Sequence, residues 1–163
     1  MSDKDKIQIL NENTFNYDHI KFKIIIIGES GVGKSSLTLR ITKNKYIEDY
    51  TPTIGFENSP IYFKINQTII KLEICDTCGL ETYRSLIKNY YRNTSLVIIV
   101  YSIDDEKSFN KLNIWLNDIK SLSEEKIIIF LVGNKLDIDE GKRKITTEMG
   151  NKFYIENNLN NFF

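Results

Sequence analysis

The sequence predicts an α/β domain, a mostly parallel sheet with helices on both faces. Three observations predict it. The strand-length stretches at 22–27, 96–101 and 127–132 are apolar throughout except for Lys23, rather than alternating, as strands covered on both faces require. Stretches with helical apolar spacing separate these runs. A glycine-rich turn, Gly28-Glu29-Ser30-Gly31-Val32-Gly33-Lys34-Ser35, links the first run to the first helical stretch and fits G-x-x-x-x-G-K-[ST] at every fixed position. In such sheets the ligand binds beyond the carboxyl ends of the strands, where this turn lies.

Length and composition set the bounds. The 163 residues suit one domain with a real core. Lys+Arg and Asp+Glu both number 22, so no basic field exists to collect nucleic acid or anionic lipid. The longest apolar runs fall far short of a membrane span, and the first twenty residues mix both charge signs without a secretory hydrophobic segment. The chain therefore reads as cytosolic. Its two cysteines, Cys75 and Cys78, form a C-x-x-C, but with one histidine, His19, and no second pair, a four-ligand zinc site cannot be assembled. The pair runs off a strand end rather than a helix start, so its spacing reads as incidental.

In chain order, residues 1–20 read as a flexible arm. The strand 22–27 and the phosphate loop follow, then a helix to about Lys43. Residues 44–60 hold both prolines, Pro52 and Pro60, and read as a long functional loop. Strands 61–65 and 68–75 form a hairpin across Asn66-Gln67, with alternation visible in Lys71-Leu72-Glu73-Ile74. A helix-like stretch runs from the turn at Asp76 to about Tyr91. Residues 104–122 predict one helix with Phe109, Leu112, Trp115, Leu116 and Ile119 on a single core-facing stripe. Residues 146–157 predict a last helix, and Phe162-Phe163 open a strand.

The chemistry lies at the strand ends. Glycine lets the loop curl so that successive N–H groups point at phosphate oxygens, reinforced by the positive end of the helix dipole. The loop from Ser30 through Gly31, Val32 and Gly33 to Ser36 would cradle phosphates. Lys34 would reach the β- and γ-phosphates, and the Ser35 hydroxyl would ligate Mg²⁺. Asp76-Thr77-Cys78-Gly79 places a carboxylate where it can hold Mg²⁺, directly or through water, and offers the Gly79 N–H to a γ-phosphate. Thr53 would complete the Mg²⁺ shell. Asn134-Lys135-Leu136-Asp137 supplies an amide, an aliphatic stem and a carboxylate. A carboxylate accepting from an exocyclic amino group and a ring N–H suits guanine, which adenine cannot match. Tyr46 would pack against the base.

In that order these motifs resemble the small GTPases of the Ras superfamily, the Rab branch most closely, from about Lys21 to Phe163. Thr53-Ile54-Gly55, Lys71-Leu72-Glu73-Ile74, Tyr90-Tyr91-Arg92 and the strand ending in Val100-Tyr101 add to the likeness. The resemblance implies a P-loop NTPase fold with a six-stranded sheet, a GTP/GDP cycle with Mg²⁺, and GTPase activity. It implies two switch segments, here about 45–57 and 76–92, for exchange factors and effectors. It also implies vesicle trafficking on the cytosolic face of endomembranes. Residues 21–163 would be the G domain, C-terminally incomplete. Membrane attachment would need a C-terminal lipid anchor, and no such cysteine is present in this sequence.

The departures are specific. The family reads D-T-A-G-Q-E where this chain has Asp76-Thr77-Cys78-Gly79-Leu80-Glu81. The resemblance makes Gly79, Leu80 and Thr53 the hydrolytic positions, and leucine has no group to orient a water. The Rab effector-reading triad falls on Asn58, Cys75 and Tyr90, where two of three differ from the family pattern. The chain also stops before the family's last helix, which would leave one flank of the sheet uncovered. Two expectations follow: a GTP-binding switch with slow hydrolysis, or a pseudo-GTPase interaction module that binds nucleotide without cycling.

Overall fold

The computed structural model describes residues 7–10, 20–48, 53, 55–77, 91–122 and 127–163. Its strands are β1 (Ile7–Leu10), β2 (Ile20–Ile27), β3 (Phe56–Ile65), β4 (Thr68–Thr77), β5 (Leu96–Ser102), β6 (Ile128–Asn134) and β7 (Asn161–Phe162). Its helices are α1 (Lys34–Lys43), α2 (Glu106–Asn110), α3 (Leu112–Leu122) and α4 (Thr147–Glu156). The strands form one sheet in the order β1-β3-β4-β2-β5-β6-β7. From β4 through β2, β5 and β6 to β7 every pairing is parallel; β3 joins β4 and β1 antiparallel. The α/β class holds, as does the mostly parallel sheet.

Three expectations are corrected. The sheet has seven strands rather than six, because Ile7–Leu10 of the supposed flexible arm pairs with Tyr62–Ile65 of β3. Four residues are too short to carry a periodic signal, and their pairing only becomes possible once the hairpin offers its outer edge. The expected single helix at 104–122 is two, α2 and α3, broken at Lys111. The apolar stripe continues through the break, so spacing alone hides it. Asp105 caps α2 by accepting from the Lys107 N–H at 3.0 Å, and Thr146 caps α4 by accepting from the Met149 N–H. The hairpin is longer than expected, with β3 beginning at Phe56 inside the predicted loop. Its turn uses Asn66 at φ 57°, a conformation asparagine tolerates. Pro60 sits on the stretch of β3 that β1 does not reach, where a missing N–H is tolerable.

The run of isoleucines in β2 explains the two cores. Ile24 and Ile26 face α1 and pack with Val32, Ile61, Ile74 and Val100. Ile25 and Ile27 face the other way, among Val97, Ile99, Tyr101, Trp115, Leu116 and Ile119. Phe109 bridges Tyr101 and Phe153 edge-to-face at 5.1 and 5.8 Å, which ties α2 and α4 over the second core. At the hairpin end of the sheet, Ile9, Phe63, Ile70 and Ile20 stand in register across four strands. Phe22 lies one row further on, opposite Leu72. Ile7, Ile9, Ile20 and Phe22 are all exposed. No helix among the described residues is long and apolar enough to cross a membrane.

Candidate functional site: a phosphate loop between the ends of β2, β4 and β6

The phosphate loop is held by neighbours on three sides. Gly28, at φ 140°, lies so close to β5 that a Cβ would strike the Val100 carbonyl oxygen. Gly33, at φ 96°, leaves no room for a Cβ beside Asn134 Nδ2. That Asn134 amide donates to the Val32 carbonyl at 2.7 Å. Asn134, expected beside the base, therefore also staples the loop to the end of β6. Gly33 is the N-cap of α1 without a side-chain capping bond, and the first turn has no acidic residue. The first-turn N–H groups are thus turned toward the loop without a capping side chain, a ready anion site. Lys34 is buried, and its ammonium donates to the Gly28 and Glu29 carbonyls at 2.9 and 2.7 Å.

Sequence reasoning missed the loop's outer brace. The Glu29 carboxylate accepts from Trp115 Nε1 at 3.2 Å and pairs with Lys111 Nζ at 3.0 Å. The same residue thus fastens the loop to α3 through its side chain and receives Lys34 through its carbonyl. The partners lie 82 and 86 residues away, so no local spacing announces them. The one available signal was an acidic residue in the loop and a lone tryptophan in a helical stripe.

Three oxygen-bearing side chains converge beside Lys34. Ser35 Oγ and Thr53 Oγ1 are 2.7 Å apart. Asp76, at the carboxyl end of β4, is 2% exposed. Burial pushes its carboxyl above the usual carboxylate range, while a hydrogen bond with Ser35 and the Lys34 charge pull it back. Its Oδ1 has no hydrogen-bond partner among the described residues. Thr77 beside it donates to the Ile26 carbonyl at 2.8 Å, fixing the ends of β2 and β4 together. Hard oxygen donors with a single carboxylate fit Mg²⁺, which is held by few protein groups together with phosphate oxygens. Among the described residues no cluster of three or more His, Cys, Asp or Glu side chains offers a different kind of metal site.

At the end of β6, Lys135 adopts a left-handed φ of 70° and its ammonium approaches Asp104 Oδ1 at 3.5 Å. The Ser102 hydroxyl, hydrogen-bonded to Asp104, is the main cause that holds this carboxyl below its ordinary range. Leu136 and Asp137 are exposed. Arg143 donates to the carbonyls on both sides of Asp137: Nη2 to Leu136 at 2.7 Å and Nε to Ile138 at 3.3 Å.

The structure therefore brings together the loop, Asn134, Ser35, Thr53 and Asp76. Ser30 and Gly31 stand exposed at the loop tip, and Ser36 is half-buried in the first turn of α1. Tyr46 is exposed past the end of α1, two residues beyond the left-handed Asn44. Asn58 and Cys75 are cross-strand partners in β3 and β4. Burial pushes the Cys75 thiol up to about 11, which opposes thiolate chemistry there. Cys78, Gly79, Leu80 and Tyr90 lie outside the described residues.

A profile of the Ras family matches residues 23–163. The chain is 41% identical over 135 residues to Ras-related protein RabC of Dictyostelium discoideum, covering 82% of the chain and 68% of that relative. It is 41% identical over 134 residues to Ras-related protein RIC1 of Oryza sativa subsp. japonica, covering 82% and 65%. It is 37% identical over 143 residues to GTP-binding protein YPT1 of Saccharomyces cerevisiae, covering 88% and 68%. The matched stretch thus spans about two thirds of each relative's length. The profile covers the phosphate loop, the Ser35, Thr53 and Asp76 oxygens, and the base segment, so the chain belongs to the Ras family of small GTPases, on its Rab-like branch.

Proposed function

We propose that this chain is a guanine-nucleotide switch of vesicle trafficking that binds GTP and GDP with Mg²⁺ and hydrolyses GTP slowly. The observation that carries the reading is the meeting of Ser35, Thr53 and Asp76 beside Lys34 and the uncapped start of α1. In this reading the N–H groups from Ser30 to Ser36 bind and orient the phosphates, and Lys34 swings from its loop carbonyls onto the β/γ oxygens. Ser35, Thr53 and Asp76 hold the metal. Mg²⁺ held there would supply positive charge against the phosphates. Asp137 accepts from the guanine amino and ring N–H groups, with Asn134 and Lys135 framing the base and Tyr46 closing over it. The Gly79 N–H meets the γ-phosphate. Residues 21–163 form the G domain, with β1 an added edge strand. Exchange factors and effectors engage 45–57 and 76–92 on the cytosolic face of endomembranes, and nucleic acid has no part in it.

Leu80 sets the rate. Positioning the attacking water is most of what such a site contributes, and leucine offers neither donor nor acceptor. The same residue favours a second reading, a pseudo-GTPase that binds nucleotide and does not cycle. Single-turnover hydrolysis on the Mg²⁺-loaded protein separates the two. Slow but measurable turnover, raised about tenfold or more by Leu80→Gln with GDP affinity unchanged, supports the switch. No turnover in either protein supports the second reading, and ordinary family rates in the parent remove the role given to Leu80.

A further inference from the structure

The geometry points to Arg143 as the residue that sets guanine specificity at a distance, by fixing the peptide frame that aims Asp137. This inference rests on the guanine-binding reading of the site above. Asp137 is an exposed side chain on a loop that opens with a left-handed residue, Lys135. A carboxylate that must accept two N–H groups from one base edge tolerates little rotation, because hydrogen bonds weaken steeply off line. The loop's own closure is slight: the Ile138 N–H donates to the Lys135 carbonyl at 3.0 Å.

Arg143 supplies the rest. Its guanidinium reaches the Leu136 carbonyl at 2.7 Å and the Ile138 carbonyl at 3.3 Å, so one planar fork spans Asp137. The first of these carbonyls belongs to the peptide plane that precedes the Asp137 Cα. Arg143 itself cannot drift. Its own N–H donates to the Glu140 carbonyl, and the next two N–H groups, of Lys144 and Ile145, donate to the Ile103 carbonyl at 2.8 and 3.0 Å. The Ile103 N–H in turn donates to the Asn134 carbonyl at 3.1 Å. Both ends of the base loop are thus referred to one residue, Ile103, just past the end of β5, and Arg143 closes the frame between them. Arg143 is a positioning residue in this arrangement. It makes no contact with the base and acts through the carbonyls.

The test compares GDP with inosine diphosphate, which lacks only the exocyclic amino group whose N–H would donate to Asp137. Calorimetry is done on the full chain with Mg²⁺ for the parent, Arg143→Ala, Arg143→Lys and Asp137→Ala. The expected result is a roughly three- to tenfold weaker GDP affinity in Arg143→Ala with a smaller loss for inosine diphosphate, so the discrimination ratio shrinks. Arg143→Lys, which keeps charge and loses the fork, should shrink it too. In the Asp137→Ala background, Arg143→Ala should leave the ratio where it is. Should Arg143→Ala fail to fold, Arg143→Lys decides by the same ratio. Equal losses for both nucleotides, or none, would overturn the inference while leaving guanine binding standing. A parent that binds ADP as well as GDP would instead remove the guanine reading itself.

Discussion

The brace at Glu29 allows a prediction whose size follows from the contacts. Glu29→Ala removes the acceptor that faces the Trp115 indole and the carboxylate paired with Lys111. Trp115 is buried at 2% exposure, and taking a partner from a buried donor costs about 1–3 kcal/mol. The ion pair adds little: the side chains of Lys111 and Glu29 are 34% and 15% exposed, and such pairs contribute about 0–1 kcal/mol. The sum is about 1–4 kcal/mol, which for a domain of this size lowers the melting midpoint by roughly 2–16 °C. Glu29→Gln separates the two terms, because its amide oxygen can still accept from the indole while the charge is lost. It should therefore melt within about 3 °C of the parent. Trp115 is the only tryptophan, so its emission follows both unfolding and the immediate surroundings of Glu29 without interference. The Glu29 carbonyl also receives Lys34, so Glu29→Ala should release GDP several-fold faster. If Glu29→Gln costs as much as Glu29→Ala, the ion pair is the brace and the ordering of terms is wrong. If Glu29→Ala melts and releases nucleotide like the parent, there is no brace.

Three further outcomes are expected. Gly33→Ala puts a Cβ against Asn134 Nδ2 at a left-handed φ, a strain of about 1–2 kcal/mol before any clash, and should weaken GDP binding at least tenfold by calorimetry. Lys34→Ala removes a charged donor from the phosphates and should lower nucleotide affinity about ten- to a hundredfold; parent-like binding would cancel its role. Asp137→Asn replaces an acceptor by a group with a donor and should shift preference from guanine toward xanthine nucleotides in competition binding.

The phosphate loop was legible because its requirements are local: eight consecutive residues between a strand and a helix. Ser35, Thr53 and Asp76 were legible as hard oxygen donors, and the structure brings the three together. What escaped the sequence depends on tertiary approach. Nothing in a linear reading joins Glu29 to Trp115, or gives Asn134 its bond to Val32, 102 residues away. The break at Lys111 was hidden because Phe109 and Leu112 keep helical spacing across it. The strand Ile7–Leu10 was missed because four residues bury almost nothing by themselves; all but Leu10 remain exposed. The Arg143 contacts escaped for another reason, since a charged residue in a polar loop is ordinarily a solvated one.

The row of Ile9, Phe63, Ile70 and Ile20 has a consequence for how the chain behaves in bulk solution. Equal numbers of acidic and basic residues and an isoelectric point near 6.6 leave almost no charge repulsion between molecules at neutral pH. Four large apolar side chains at the hairpin end, Ile7, Ile9, Ile20 and Phe22, are between 40% and 66% exposed. Attraction between such faces strengthens with sulfate or phosphate and weakens on cooling, the opposite of what charge pairing would do. The 163-residue chain is therefore most soluble in the cold, at low salt and away from pH 6.6, and binding of a polarity-sensitive dye to the native protein would report this face directly.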